Sequence, residues 1–594
     1  MMQYTHGPLV LNDGTTRFTL WAPNAQRVEL MLGDAGAHEM TRDAGGFYTI
    51  TLPAPEGTLY RFRIDGKLDV PDPASRWQDD DVHDPSVVVA QDQYPWQNVD
   101  WKGRPWHETV LYELHPGLLG GYAGIEARLP ALATLGVTAI ELMPIADFPG
   151  ARNWGYDGVL PYAPDKAYGT ADELKHLIDS AHGMGMMVFL DVVYNHFGPD
   201  GNYLSAYAAD FFNAEANTPW GPAIDFSRPQ VRQFFAENAL YWLNEFRFDG
   251  LRLDAVHAII DQEWLPEMAA FVRANVAQER EVHLVLENEG NTASPLTAGF
   301  DAQWNDDAHH VLHHLLTGET RAYYSDFSDD ATGKLARVLS EGFVYQGDPS
   351  PFHDGKPRGE RSDHLPPTAF VLFLQNHDQI GNRAFGERLT ELLADRPDTL
   401  RAAVALQLLC PHIPLIFMGE ELGAKSPFLY FTSHSAPDLV TAVREGRRRE
   451  FAGFNDFSDP EVLASIPDPN EPDTYERSAV TLADSDPSAA RWLALYRLLL
   501  DVRRERITPG LAGSVSMGAQ VLGDAAVCAR WRMGNGKVLT LYANLSDNDL
   551  TSDALADEYD PLAEVIFESA AGADAALRAA TLTARTVVAL LKHE

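Results

Sequence analysis

From Val110 onward the chain alternates short apolar runs with segments of helical periodicity, and few folds accept that rhythm. Val110–Leu114 is a β-branched and aromatic run. Gly136–Pro144 encloses a second, Val-Thr-Ala-Ile-Glu-Leu-Met, and Met187–Val193 a third. Ser227 and Pro229 start a helix whose Phe235, Ala239, Trp242, Leu243 and Phe246 share one face. The fourth run follows at once, within Phe246–His257. Val282–Leu286, a weaker run near Phe300–Gln303, Ala369–Leu374 and Leu415–Met418 complete eight. Helical patterns at Ala171–Met184, Trp264–Val276 and Leu400–Leu409 lie between them. The spacing predicts an α/β protein built on a parallel (β/α)8 barrel.

The flanks follow another rhythm. Thr16–Pro23, Arg27–Leu32, Phe47–Leu52 and Thr58–Ile64 are short alternating runs separated by turn residues, which predicts an N-terminal β-sandwich over 1–95. Val515–Leu522, Ala526–Met533, Lys537–Ala543 and Thr581–Leu591 predict a C-terminal β-sandwich over 506–594. The barrel is expected over 96–505, with a loop insertion at about 197–226 and a second polar loop, Gly342–Pro367, before the seventh strand. The acidic segment Asp553–Asp560 reads as a solvated loop.

Charge narrows the function. Lys and Arg number 46 and Asp and Glu 85, giving a formal charge of −39. That field disfavours nucleic acid and anionic membrane and is compatible with a neutral ligand. Cys410 and Cys528 are far apart and imply neither a disulfide framework nor a thiolate zinc site. The N-terminus has no charged and apolar leader pattern and no apolar run is long enough to span a bilayer, so a cytoplasmic location is expected.

A barrel enzyme draws its chemistry from the C-terminal ends of its strands. Those ends read Asp191-Val-Val-Tyr-Asn-His196, Arg252-Leu-Asp-Ala-Val-His257, Val285-Leu-Glu-Asn-Glu289 and Gln375-Asn-His-Asp-Gln379. Arg252 and Asp254 share one strand face, and the guanidinium favours an ionised carboxylate. Asp254 and Glu287 are 33 residues apart, close to one βα unit of roughly 30 residues, so adjacent strands would present both to one cavity. Such a pair, one carboxyl ionised to attack and one protonated to release a leaving group, is the equipment for nucleophilic cleavage with acid/base help. Asp254 suits attack. Glu287 suits the acid/base role, with nearby anions expected to raise its pKa, and Glu289 is its local rival.

This order of polar ends, with Asn153-Trp-Gly-Tyr-Asp157 after the second strand, resembles the α-amylase superfamily of glycoside hydrolases. The resemblance spans the barrel and favours Glu287 over Glu289. It implies Asp378 as a third carboxylate that holds sugar hydroxyls, and His196, His257 and His377 as hydrogen-bond donors to them. It further implies Tyr156 stacked on a sugar and Asp157 holding Arg252 or the ring. Asn195 matches a position that helps bind calcium in some relatives, but the following excursion has few carboxylates, and no metal or cofactor is expected. His309-His-Val-Leu-His-His314 lacks the Glu of a zinc-protease helix and reads as a solvated or capping cluster.

Three loops carry specificity: Thr218–Phe226, Gln303–His310 and Met418–His434. Together they resemble the maltooligosyltrehalose trehalohydrolases within that superfamily. The resemblance implies cleavage of the α-1,4 bond next to the terminal trehalose of a maltooligosyltrehalose. Trehalose and a maltooligosaccharide would be released, and a maltooligosyltrehalose synthase would be the partner enzyme. Trp220, Trp304, Phe428, Tyr430 and Phe431 are expected to offer ring faces to pyranoses, and Asn305, Asp306 and Asp307 polar groups to hydroxyls. Branching enzymes share the layout, so glucan transfer is the alternative; a catalytically silent glucan-binding protein would not need all three carboxylates.

Overall fold

The computed structural model describes residues 4–593 except 34–35, 92, 453–458, 481–486, 553–554 and 556–558. Of the acidic segment 553–560, only Leu555, Tyr559 and Asp560 therefore fall within the described residues. Eight parallel strands close into a barrel. They are β1 (Leu111–Leu114), β2 (Ala139–Leu142), β3 (Met187–Val192), β4 (Gly250–Leu253), β5 (His283–Leu286), β6 (Ala302–Trp304), β7 (Phe370–Leu372) and β8 (Ile413–Phe417). Closure pairs Leu111 of β1 with Leu415 of β8.

Strand periodicity of two divides the barrel interior by depth. Leu111, Ala139, Met187, Phe189, Val285, Ala302, Val371 and Leu415 fill its lower layers. Two residues further along the same faces come Glu113, Glu141, Asp191, Arg252 and Glu287. The interior is thus apolar below and charged above. Gly250, opposite Phe189 in the β3–β4 register, makes room for that ring: a Cβ there would lie 2.1 Å from it.

Two N-terminal sheets, one built on Thr15–Trp21 and Phe47–Pro53 and the other on Val28–Leu32 and Leu59–Ile64, form the expected sandwich. It docks on the barrel through Arg76, whose buried guanidinium lies 4.2 Å from the Tyr162 ring and 4.4 Å from that of Tyr241. At the other end a five-stranded antiparallel sheet carries the core. The second layer of this C-terminal unit is small: the ribbon Leu550–Thr551/Thr581–Leu582 and the helix Ala573–Arg578 cover Cys528, Tyr542 and Val588. Cys410 and Cys528 are both buried and neither is in a disulfide. Among the described residues no helix is long and apolar enough to cross a membrane.

Three excursions rise above the C-terminal ends of the strands. The first, after β3, carries the hairpin Phe212–Thr218/Gly221–Ile224. The second, before β7, carries the hairpin Asp348–Ser350/Lys356–Arg358. The third, after β8, leads into the helix Pro437–Phe451.

Candidate active site

The site is organised by one fully buried cation. Arg252 directs Nη1 to Asp191 Oδ2 at 2.7 Å and to Asp254 Oδ1 at 2.8 Å, and Nη2 to Glu287 Oε2 at 2.8 Å. A planar guanidinium suits this, because its donors are fixed in one fork. The expected Arg252–Asp254 pair is present, but the same cation also holds Glu287, so anions are not alone around that carboxyl. Asn195 donates to Asp254 Oδ2 at 2.7 Å and to its backbone carbonyl at 2.9 Å, which fixes both carboxylate oxygens of Asp254. Asn195 thus serves the carboxylate; among the described residues no group of three or more His, Cys, Asp or Glu side chains could hold a metal ion. Just past β4 the chain turns through Ala255 in the left-handed region, φ 39°, and its N–H reaches Glu287 Oε2 at 2.9 Å. A non-glycine residue held there is strained, and such strain gathers at functional sites.

A second network lies beside the first. Tyr156 donates to Asp191 Oδ2 at 2.6 Å, its oxygen lies 2.8 Å from His377 Nε2, and its ring stacks on the imidazole at 5.1 Å. His377 Nδ1 bonds Glu113 on β1. Burial opposes a charge on His377, but Asp378 and Glu113 overcome it and raise the imidazole to about 9. Burial lifts Asp191 to about 7 despite Arg252. Glu141, buried with no hydrogen-bond partner, is pushed well above the usual carboxylate range by burial and by Glu113 and Asp191.

Above these networks opens a cleft of about 710 Å³. Tyr156, Asp157, His196, Trp220, Asp254, His257, Glu287, Asp306, His377, Asp378 and Tyr430 all line it. Asp254 and Glu287 therefore face one cavity. Several expectations are corrected. Trp304 is 1% exposed and faces no sugar: its indole lies under Arg252, 4.2 Å from the guanidinium carbon. Asn305 is buried because its side chain caps the helix Asp306–Thr317 and donates to the Gly342 carbonyl at 2.8 Å. Asp307 turns the other way, accepting N–H bonds from Val344 and Tyr345. Phe428 and Phe431 are core residues, Phe428 stacked on Trp154 at 5.2 Å. Asp157 accepts from Asn153 at 2.6 Å within its own loop and does not hold Arg252. The histidine cluster is not solvated. His309 and His313 are buried, His313 stacked on Tyr324 at 4.4 Å, and His310 faces the cleft.

Sequence reasoning passed over Glu113, Tyr323, Phe352, His353, Arg358 and Arg447, and it read His310 only as part of a solvated or capping cluster. Glu113 carried a signal, a lone carboxylate inside the apolar first strand. Phe352 carried another, an aromatic in the otherwise polar, Pro- and Gly-rich stretch Gly347–His364.

Residues 92–219 match the alpha amylase catalytic domain, 6–85 the carbohydrate-binding module 48 (isoamylase N-terminal domain), and 516–589 a domain of unknown function. The chain is 40% identical to a malto-oligosyltrehalose trehalohydrolase of Saccharolobus solfataricus over 84% of this chain and 87% of that one. It belongs to the malto-oligosyltrehalose trehalohydrolase family. The family's proteins are glycoside hydrolases of the α-amylase type. A crystal structure of a putative alpha amylase from Salmonella typhimurium superposes with a TM-score of 0.91, at 40% identity and full coverage of both chains. A 1,4-alpha-glucan branching enzyme of Corynebacterium jeikeium is 31% identical, over only 56% of this chain and 54% of its own length. Similarity to the trehalohydrolase thus covers most of both chains, and similarity to the branching enzyme about half of each.

Proposed function

We propose that this enzyme hydrolyses, with retention, the α-1,4 bond beside the terminal trehalose of a maltooligosyltrehalose. Asp254 attacks the anomeric carbon. Glu287 gives its proton to the glycosidic oxygen, and trehalose leaves with that oxygen as a hydroxyl. Water then adds to the glycosyl–Asp254 ester as Glu287 takes a proton back, and the maltooligosaccharide is released. Arg252 and Ala255 occupy Glu287 Oε2, so Oε1 is the oxygen that carries the proton. Asp378 and His377 hold sugar hydroxyls beside the bond, and Tyr156 supplies a ring face. His196, His257, Asp157, Asp306, Trp220 and Tyr430 bind the rings on either side. No step needs a cofactor.

The observation that carries this reading is that Asp254 and Glu287 face one cleft and are tied to the two terminal nitrogens of the same buried guanidinium. Family membership supports the trehalose end of the substrate. The test is a product assay on maltotriosyltrehalose, amylose and maltopentaose. Trehalose and maltotriose from the first, with little action on the others, is the expected result. Longer or branched glucans in place of free trehalose would mean transfer.

The substrate requires an enzyme that turns the reducing-end linkage of a maltooligosaccharide into the α,α-1,1 bond, the role of a maltooligosyltrehalose synthase. A cytoplasmic location fits two buried cysteines that form no disulfide. The net charge of −39 argues against nucleic acid or anionic membrane as partner. Domain limits of 1–95, 96–505 and 506–594 accord with sandwich strands that end at Val87 and a C-terminal sheet that begins at Val515.

A further inference from the structure

We infer that the turn 79–84 of the N-terminal sandwich is a clamp that sets Tyr156 and His196 in the cleft, with Val82 and His83 as its positioning residues. It rests on the reading above only in taking Tyr156 and His196 as sugar contacts. These two side chains come from the loops after β2 and β3, and the loops are seamed together. His196 Nε2 lies 2.9 Å from the Tyr156 carbonyl oxygen, and the Gly198 N–H donates to the Gly158 carbonyl at 3.1 Å. The seam is tight, since a Cβ on Gly198 would lie 2.0 Å from the Asp157 carbonyl oxygen. Neither side chain can therefore shift without carrying the seam with it.

The turn grips both loops from behind. Val82 is fully buried and packs with Val159, Leu160 and Ala163 in an apolar cluster of its own. It also meets the loop after β3, because a Cβ on Gly201 would lie 2.6 Å from Val82 Cγ2. On the side of β2, the Gly150 N–H donates to Asp81 Oδ2 at 3.2 Å and Lys166 Nζ to the Asp79 carbonyl at 2.8 Å. On the side of β3, His83 bridges two groups, with Nδ1 2.8 Å from the Tyr203 hydroxyl and Nε2 3.0 Å from Asp200 Oδ1. Asp200 Oδ2 accepts in turn from Ser435 Oγ at 3.2 Å, which brings in the loop after β8. A half-exposed imidazole–carboxylate pair contributes little by itself. Here it acts beside a buried valine, and burial of that side chain is what holds the turn in place. Among the described residues none of the sandwich lines the cleft, so the turn shapes the site without touching a sugar. Strand register, which the turn does not reach, sets Arg252, Asp254 and Glu287. The clamp therefore governs how rings are held and leaves the bond-breaking groups alone.

The experiment uses the full chain and four variants: Val82→Ala, His83→Ala, His83→Gln and Phe18→Leu. The last is a control, since the Phe18 ring packs on Tyr60 inside the sandwich, 4.9 Å between centroids. Each variant is assayed for kcat and KM on maltotriosyltrehalose. Indole emission supplies a second readout, because Trp220 stacks on His196 at 5.2 Å and the imidazole quenches it. Val82→Ala and His83→Ala each raise KM about five- to tenfold, roughly the worth of one lost contact, and change kcat by less than about twofold. Both raise indole emission, and the rise vanishes when Trp220→Phe is added. His83→Gln keeps a donor for Asp200 and an acceptor for Tyr203, and it holds KM within about twofold. Phe18→Leu lowers the melting temperature and leaves KM and emission unchanged. Unchanged KM and emission in both alanine variants overturn the inference. So does a Phe18→Leu variant that reproduces their effects, which would make the sandwich a general support. Wild-type protein that releases no trehalose would overturn the functional reading instead, and the emission readout would still decide the clamp.

Discussion

Arg252 lies beneath the cleft and Phe352 at its rim, and the two are held by different means. The guanidinium is 0% exposed, between three carboxylates above and an indole below. Phe352 is 47% exposed on a hairpin that reaches the barrel through side-chain bonds. The floor is set by strand register, which leaves no freedom once the barrel closes. The wall is set by a few loop contacts, and a loop can change without disturbing the barrel. Chemistry and specificity are thereby separated, and each can be broken alone.

The largest break is at the floor. Asp254→Asn removes the proposed nucleophile and should lower kcat by at least about 10⁴-fold, measured with purified protein on maltotriosyltrehalose. Glu287→Gln should cost about 10²–10⁴-fold, with KM little changed, because only the proton is lost. Trp304→Leu probes the support below. It should lower kcat about tenfold by loosening Arg252, and stability to denaturant by about 2–4 kcal/mol through the space left in the core. The smallest effect belongs to the wall. Phe352→Ala should raise KM severalfold for the trehalose-ended substrate and change stability by less than about 0.5 kcal/mol. A kcat loss as large as that of Trp304→Leu would erase the contrast.

The floor also predicts a pH dependence of stability. His377 is raised from 6.5 to about 9 in the folded protein by Asp378 and Glu113, against the opposing effect of burial. A raised imidazole stabilises the fold in full below its unfolded value and loses that contribution as pH rises through its folded value. Denaturation at pH 6 and pH 9.5 should therefore differ by on the order of 3 kcal/mol, less stable at the higher pH. His377→Gln should flatten that slope.

The same contrast explains what could be read in advance. Asp254, Glu287 and His377 are visible in sequence because each ends an apolar run whose periodicity fixes its direction. Arg252 was visible as a partner of Asp254; its bond to Glu287 depends on the spacing of two neighbouring strands, which a sequence does not carry. Trp304 shows the opposite failure. An aromatic beside polar residues reads as a sugar platform, yet the strand continues through it and turns its ring inward. Phe428 and Phe431 misled in the same way, since an aromatic-rich loop can fold under itself. The rim, from Tyr323 to Arg358, was hidden because its residues are far from β5 in sequence and meet Glu289 only when the hairpin folds back.

The central claim is that Asp254 and Glu287 flank one anomeric carbon as nucleophile and acid/base. Proton NMR during the first turnovers of maltotriosyltrehalose tests it directly. The account predicts that the new reducing end of maltotriose appears first as the α-anomer, before mutarotation. Appearance of the β-anomer first would mean direct attack by water and would contradict it.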